Sequence, residues 1–298
     1  MKAAIDIGSN TVRMLVGEII EDQVAPQYYL RQVTRLGGGY DPMQGLSAEA
    51  SERTICALEE FAQRIQESSP TSIRAVATEA VRRAVNSQQF IAEVRARTGL
   101  VVEIIDGKEE AELSFTGVLA ALKPRPAAAL IFDIGGGSTE FILCKEGKRL
   151  WAKSYPLGVI TLAEDPASRQ SIERILTELV KDLHLAGWSP LLDSARCELV
   201  GTAGTVTTLA AMDLSMTDYD WQRINNYILS QATLLSLYQC LLPLTPAERE
   251  QIDGVEKGRG DLILPGAEIV LALLALFAKD RLRVSDFGLL EGILLALR

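Results

Sequence analysis

The sequence predicts an α/β protein of two similarly built halves, and three observations carry that reading. At 298 residues the chain exceeds what one hydrophobic core usually organises, so two domains are expected. An Asp-Ile-Gly triplet occurs twice, at Asp6-Ile7-Gly8 and Asp133-Ile134-Gly135, each time after an apolar run and before small polar residues. Both copies lead into two further β-rich segments, after which helical and extended patterns alternate.

The elements follow in order. In the first half, the apolar run before Asp6 is followed by an extended segment at 12–20, a turn at 21–23 and a third segment at 25–33. The second half repeats this with 130–134, 140–144, a turn at 145–148, and 149–155. Residues 47–67 predict a helix, with Ser47 as its cap and Ile55, Leu58, Phe61, Ala62 and Ile65 at helical spacing. A strand at 73–77, a helix at 87–97, a strand at 101–105 and a helix at 109–122 complete this half. Lys123-Pro124-Arg125-Pro126 reads as a stiff connector, which divides the chain into domains 1–124 and 125–298. The second half continues with a helix at 168–186, a strand at 198–201, and helices at 205–211, 230–241 and 265–278. A strand at 281–284 precedes a final helix to 297; that last stretch, about 286–298, is free to pack back on the first domain.

Composition narrows the chemistry. Apolar residues make up 48% and charged residues 23%, ordinary values for a globular chain. The formal charge of −9 repels polyanions, so a phosphate-rich partner needs a local basic site or a metal, and nucleic-acid binding by bulk charge is excluded. Cys56, Cys144, Cys197 and Cys240 are isolated, which argues against zinc and redox motifs and leaves free buried thiols in a reducing compartment as the expectation. Asp6 interrupts the N-terminal apolar run, so no signal peptide is expected there. The most apolar stretch, 262–278, contains Pro265, Gly266 and Glu268 and falls short of the ~20 residues a bilayer requires, so it predicts a buried helix. A cytoplasmic protein without a membrane partner is the resulting expectation. The lone histidine, His184, closes off Ser-His-Asp, Cys-His and His-rich metal sites and predicts a solvated or capping role for itself.

Three loops suit phosphate. After Asp6, Gly8 allows close backbone approach while Ser9, Asn10 and Thr11 supply donors. After Asp133, Gly135, Gly136 and Gly137 run into Ser138 and Thr139. An Asp at the end of such a strand is placed to hold a hydrated Mg²⁺, a hard cation that takes oxygen ligands. The third stretch, Gly201-Thr202-Ala203-Gly204-Thr205, follows a strand and opens a helix, where free N–H groups and the helix dipole favour anions. Its spacing is not that of a dinucleotide fingerprint, and no Gly-x4-Gly-Lys-Ser/Thr occurs, so a P-loop nucleotidase is excluded. The carboxylates of Glu109, Glu110 and Glu112 fit dipole capping of their helix; alternatively one of them orients a water for attack. Arg13, Arg82, Arg83, Lys257 and Arg259 offer cations near these segments, and a guanidinium matches phosphate bidentately.

Taken together, residues 4–13, 34–37, 77–86, 107–111, 132–140, 155–158, 201–209, 259–263 and 284–292 resemble the exopolyphosphatase / guanosine pentaphosphate phosphohydrolase family, within the actin-like ATPase superfamily. The matches run in order through essentially the whole chain. The resemblance implies two ribonuclease-H-like domains flanking a cleft, dependence on Mg²⁺ or another divalent cation, and release of terminal phosphate from inorganic polyphosphate or guanosine pentaphosphate. It makes Glu110 the catalytic base and gives Asp133 and Glu140 to metal and water; Asp6, at the end of its own strand, is read from its position as a further metal residue. The resemblance assigns Arg13, Arg82 and Arg259 to phosphate, beside the loop residues Gly8 to Thr11, Gly135 to Ser138, and Gly201, Thr202, Gly204 and Thr205 that their own chemistry already suggests. It allows a homodimer and matches the short members of the family. Two departures stand out: Gly260 occupies a position where Ala is more usual, and Glu79 adds a carboxylate beside the basic segment. Two rival functions keep the same residues: a kinase or ATPase of this superfamily, and a non-catalytic regulator that binds polyphosphate or guanosine tetra- and pentaphosphate.

Overall fold

The computed structural model describes residues 1–21, 23–164, 170–194 and 196–297. These divide into two units, Met1–Ala120 with Phe287–Arg298, and Ala121–Asp286.

The first unit begins with β1 (Lys2–Ile7), β2 (Thr11–Ile20) and β3 (Gln23–Val33), followed by α1 (Ala48–Ser68), β4 (Ser72–Ala77), α2 (Glu79–Arg83), α3 (Ser87–Thr98), β5 (Val102–Ile104) and α4 (Gly107–Ala121). Its sheet has the order β3-β2-β1-β4-β5. The first three strands form an antiparallel meander, and β4 and β5 add in parallel on the far side of β1. As a central strand, β1 is apolar on both faces except at Lys2, where it begins, and Asp6, as expected where both faces of a sheet are covered. Helix α1 buries Ile55, Leu58, Phe61, Ala62 and Ile65, and the Ser47 side chain accepts from the Ala50 N–H at its start.

The second unit repeats the plan. It contains β6 (Ala128–Ile134), β7 (Thr139–Lys145), β8 (Lys148–Tyr155), α5 (Val159–Glu164), α6 (Gln170–Leu185), α7 (Ser189–Leu192), β9 (Cys197–Thr202) and α8 (Ala203–Asp213). Then come α9 (Trp221–Ile224), β10 (Ile228–Ser230), α10 (Gln231–Leu241), α11 (Pro246–Arg249), α12 (Ile263–Leu276) and β11 (Arg281–Val284). The sheet order is β10-β11-β9-β6-β7-β8, the same meander-plus-parallel arrangement with β10 added antiparallel at one edge. Helix α12 buries most of its length; Pro265 sits in its first turn, where no intrahelical N–H is needed. No described helix is long and apolar enough to cross a membrane.

The last helix, α13 (Leu289–Ala296), lies in the first unit against β1 and β2. Glycines make this packing close: a Cβ on Gly292 would overlap the Leu113 carbonyl of α4, and one on Gly117 would overlap the Gly288 carbonyl. Two sequence expectations need correction. Only Cys144 and Cys197 are buried, whereas Cys56 and Cys240 lie on the solvated sides of α1 and α10. The short elements α2, α5, α7, α9, β10 and α11 were not expected, because three to six residues carry too little periodicity to register. The expected start of the α6 helix at Ser168 lies outside the described residues. His184 is exposed near the end of α6, 3.4 Å from Ser189 Oγ.

Candidate active-site elements

The two Asp-Ile-Gly copies form the same turn. In the first unit the Gly8 N–H donates to the Thr11 carbonyl at 3.1 Å, and in the second the Gly135 N–H donates to Ser138 at 2.8 Å. Each turn joins the first two strands of its meander, at the carboxyl end of the central strand. In both, the glycine's missing side chain makes room, since a Cβ would stand 3.0 Å from the Thr11 oxygen or 3.1 Å from the Ser138 oxygen.

Register then separates the halves. Asp6 is paired across the strands with Arg13, whereas its counterpart Asp133 is paired with Glu140. Directly opposed residues share a face of the sheet. Arg13 accordingly donates from Nε (3.0 Å) and Nη2 (2.5 Å) to Asp6 Oδ2, so the first half neutralises its own carboxylate. Asp6 Oδ1 remains buried without a partner, as does Asn10 Oδ1. In the second half two carboxylates face each other instead. Glu140 is buried and accepts from the hydroxyls of Ser138 (2.7 Å) and Ser154 (2.6 Å) through Oε1. Ser154 was missed by sequence reasoning; it is the residue paired with Glu140 on β8, which only the register discloses.

Glu110 lies in the first turn of α4 with 9% of its surface exposed. Asp106, rather than a glutamate, caps this helix through the Glu109 N–H (2.8 Å), and Glu109 is engaged by Arg74 at 2.6 Å. Arg82 Nη1 reaches Glu110 Oε2 at 3.0 Å and donates to the Ile105 carbonyl at 2.9 Å. The candidate base and a candidate phosphate ligand, 28 residues apart, are thus one ion pair. Glu79 is tied to Arg83 at 3.0 Å.

The third stretch forms the start of α8. Thr202 precedes the helix in extended conformation, and Ala203 adopts a left-handed φ of +65°, a conformation costly for a residue with a Cβ. Gly201 is enclosed by Phe132 and Val206, and Thr205 is buried against Gly266. The Arg259 guanidinium lies directly over Gly204: a Cβ there would sit 2.6 Å from Cζ and from Nη2, and closer to Nη1. Glu256 steadies Arg259 through a 2.7 Å contact to Nε. A guanidinium over a helix N-terminus combines two sources of positive potential. Gly260 is required locally, because a Cβ would overlap the Pro246 carbonyl.

The described residues contain no group of three or more His, Cys, Asp or Glu arranged to hold a metal ion. Mg²⁺ does not need such a group, since it retains several waters and is commonly bound by one or two carboxylates together with substrate phosphates. Within the second unit the opposed Asp133 and Glu140 fit that mode of binding, and within the first the orphaned Asp6 Oδ1 offers a single carboxylate oxygen.

Two ribonuclease-H-like units, each opening on this glycine turn, define a protein of the actin-like ATPase fold. The chain belongs to the Ppx/GppA phosphatase family, which matches residues 22–297. It is 34% identical over 313 aligned positions to exopolyphosphatase 2 of Mycobacterium tuberculosis, covering 99% of this chain and 98% of that one. Among solved structures, the Ppx/GppA family member of Aquifex aeolicus is 33% identical with a TM-score of 0.78, covering 99% of this chain and 96% of that one. An exopolyphosphatase from Cytophaga hutchinsonii is 28% identical with a TM-score of 0.87, covering 99% and 97%.

Proposed function

We propose that this chain is a cytoplasmic exopolyphosphatase, which releases terminal phosphate from inorganic polyphosphate and uses Mg²⁺ or another divalent cation. Guanosine pentaphosphate, which ends in the same phosphoanhydride, is the second substrate. The reading is supported by likeness along nearly the full length to a protein named as an exopolyphosphatase. The observation that carries it is the Glu110–Arg82 pair, 3.0 Å apart, which joins a buried carboxylate to an anion-binding guanidinium.

Phosphoryl transfer to water calls for positioning and neutralisation more than covalent chemistry. The loop amides at Gly8–Thr11, Gly135–Ser138 and Thr202–Thr205 hold phosphate oxygens, with Arg82 and Arg259 adding charge. Arg13 acts through Asp6, which it already engages. Glu110 orients the attacking water and takes its proton as the terminal P–O bond breaks and orthophosphate leaves. A divalent cation, when bound, would supply neutralisation of the non-bridging oxygens, with Asp133 and Glu140 in the second unit, or Asp6 in the first, as the residues that would hold it. The glutamate's share is tested by Glu110→Gln, which keeps the shape of the side chain and removes its basicity. Turnover of polyphosphate is expected to fall about 10²–10⁴-fold, the usual contribution of a general base, with the protein still cooperatively folded. Turnover near that of the wild type would remove Glu110 from the mechanism.

A further inference from the structure

A second pair of matching segments, Arg35-Leu36-Gly37 and Pro156-Leu157-Gly158, lies just beyond the third strand of each meander. Leu36 and Leu157 are anchored in the cores of their units, with 0% and 1% of their surface exposed. From these anchors the chain reaches the phosphate turn of its own half and binds its carbonyls, through Thr34, Arg35 and Gly37 in the first unit and through Val159 and Ile160, directly after Gly158, in the second.

In the first unit the Gly37 N–H donates to the Ser9 carbonyl at 2.7 Å. The N–H groups of Thr34 and Arg35 both donate to Asn10, at 3.0 and 2.9 Å. In the second unit the Ile160 N–H donates to Gly136 at 2.9 Å and the Val159 N–H to Gly135 at 3.1 Å. Ser9 and Gly136 are equivalent positions, each one residue beyond the turn's first glycine, so the same carbonyl is captured from the same side of the chain in both halves. In the second unit the backing segment is tied further to the strand it serves, because the Thr139 hydroxyl donates to the Leu157 carbonyl at 2.5 Å. Gly158 is pressed so closely on the glycine turn that a Cβ would overlap the Gly136 carbonyl and the Gly137 Cα.

A trans peptide is planar, and its C=O and the following N–H point in opposite directions. Capturing the carbonyls of Gly135 and Gly136 therefore turns the amides of Gly136 and Gly137 away from the backing segment. Capturing Ser9 and Asn10 does the same for the amides of Asn10 and Thr11. Glycine peptides would otherwise rotate freely and present carbonyl oxygens, which repel phosphate. We propose that Leu36-Gly37 and Leu157-Gly158, with Thr139, are positioning elements that aim the amides of the two phosphate turns at the anion. The inference rests on the reading of these turns as phosphate sites.

The test uses Thr139, where a hydroxyl can be removed without changing shape. In a Glu110→Gln background, whose slowed turnover leaves time to measure binding, tripolyphosphate affinity is measured by calorimetry for Thr139→Val and Thr139→Ser. Thr139→Val is expected to weaken binding about ten-fold, the cost of misaiming one or two charge-assisted N–H contacts, with Thr139→Ser restored to within about two-fold of its parent. Gly158→Ala is expected to weaken it at least as much. Gly37→Ala should do less, since the nearest atom to its Cβ would be the Ser9 Cβ at 3.2 Å. Equal affinity in Thr139→Val and Thr139→Ser overturns the proposal, whether or not Gly158→Ala folds. If the parent fails to bind tripolyphosphate, the functional reading fails separately. Hydrogen exchange at the Gly136 and Gly137 amides then decides: faster exchange in Thr139→Val than in Thr139→Ser supports the backing role, and equal exchange rejects it.

Discussion

Replacing Gly204 by alanine separates the anion site from the stability of the fold. The added methyl would stand 2.6 Å from Cζ and Nη2 of Arg259 and nearer still to Nη1, against an ordinary carbon contact of about 3.5 Å. The guanidinium must therefore retreat by about 1 Å, and it can do so because it is the end of a flexible side chain. Losing one hydrogen bond to a charged group costs about 1.5–3 kcal/mol, so the KM for polyphosphate is expected to rise roughly ten- to hundred-fold. The contact is present in ground and transition states alike, so kcat should change little. Stability should move the other way. Gly204 is the second residue of α8, and alanine within a helix is favoured over glycine by about 0.5–1 kcal/mol. Steady-state kinetics with long-chain polyphosphate, paired with thermal unfolding, reads both effects. An unchanged KM would refute the placement of Arg259 at the anion. A large fall in Tm would refute the claim that the side chain absorbs the clash.

Ala203→Gly relieves a left-handed residue and should raise stability by about 1 kcal/mol by thermal or urea unfolding, whereas a loss would mean that φ is not strained. Thiol labelling of the native protein should modify Cys240 quickly and Cys56 more slowly, because the Glu52 carboxylate bonded to Cys56 raises its thiol pKa. Cys144, buried and pushed up to about 11, and Cys197, also raised by burial, should react only after unfolding. Asp182 is held below the usual carboxylate range by hydrogen bonds from Lys153 and Tyr155. A depressed carboxylate stabilises the fold above its unfolded pKa. The Tm difference between wild type and Asp182→Asn should therefore be present at pH 7 and shrink as pH falls through that lowered value. A constant difference would mean that the charge is not involved.

What the sequence disclosed and what it withheld divide along physical lines. The two Asp-Ile-Gly turns were legible because each combines a buried strand, a tight turn and small donors within a few residues. The long helices were legible, α1 from its periodicity and α12 from its strongly apolar composition. The pairings behind the asymmetry of the halves were not, because Asp6 with Arg13 and Asp133 with Glu140 become partners only once the strand register is known. The same holds for Arg82 on Glu110 and for Arg259 over Gly204, contacts between residues 28 and 55 apart in the chain that composition cannot anticipate. Cys56 was expected to be a buried thiol, yet a helix turns 100° per residue and, between the buried Ile55 and Ala57, carries it to the solvated face.

Phosphate release by the purified protein from long-chain polyphosphate, guanosine pentaphosphate and ATP, with and without Mg²⁺, tests the central claim most directly. Cation-dependent release from polyphosphate above that from ATP is expected, falling about 10²–10⁴-fold in Glu110→Gln. Faster release from ATP, or tight polyphosphate binding with no release in the presence of Mg²⁺, would contradict it.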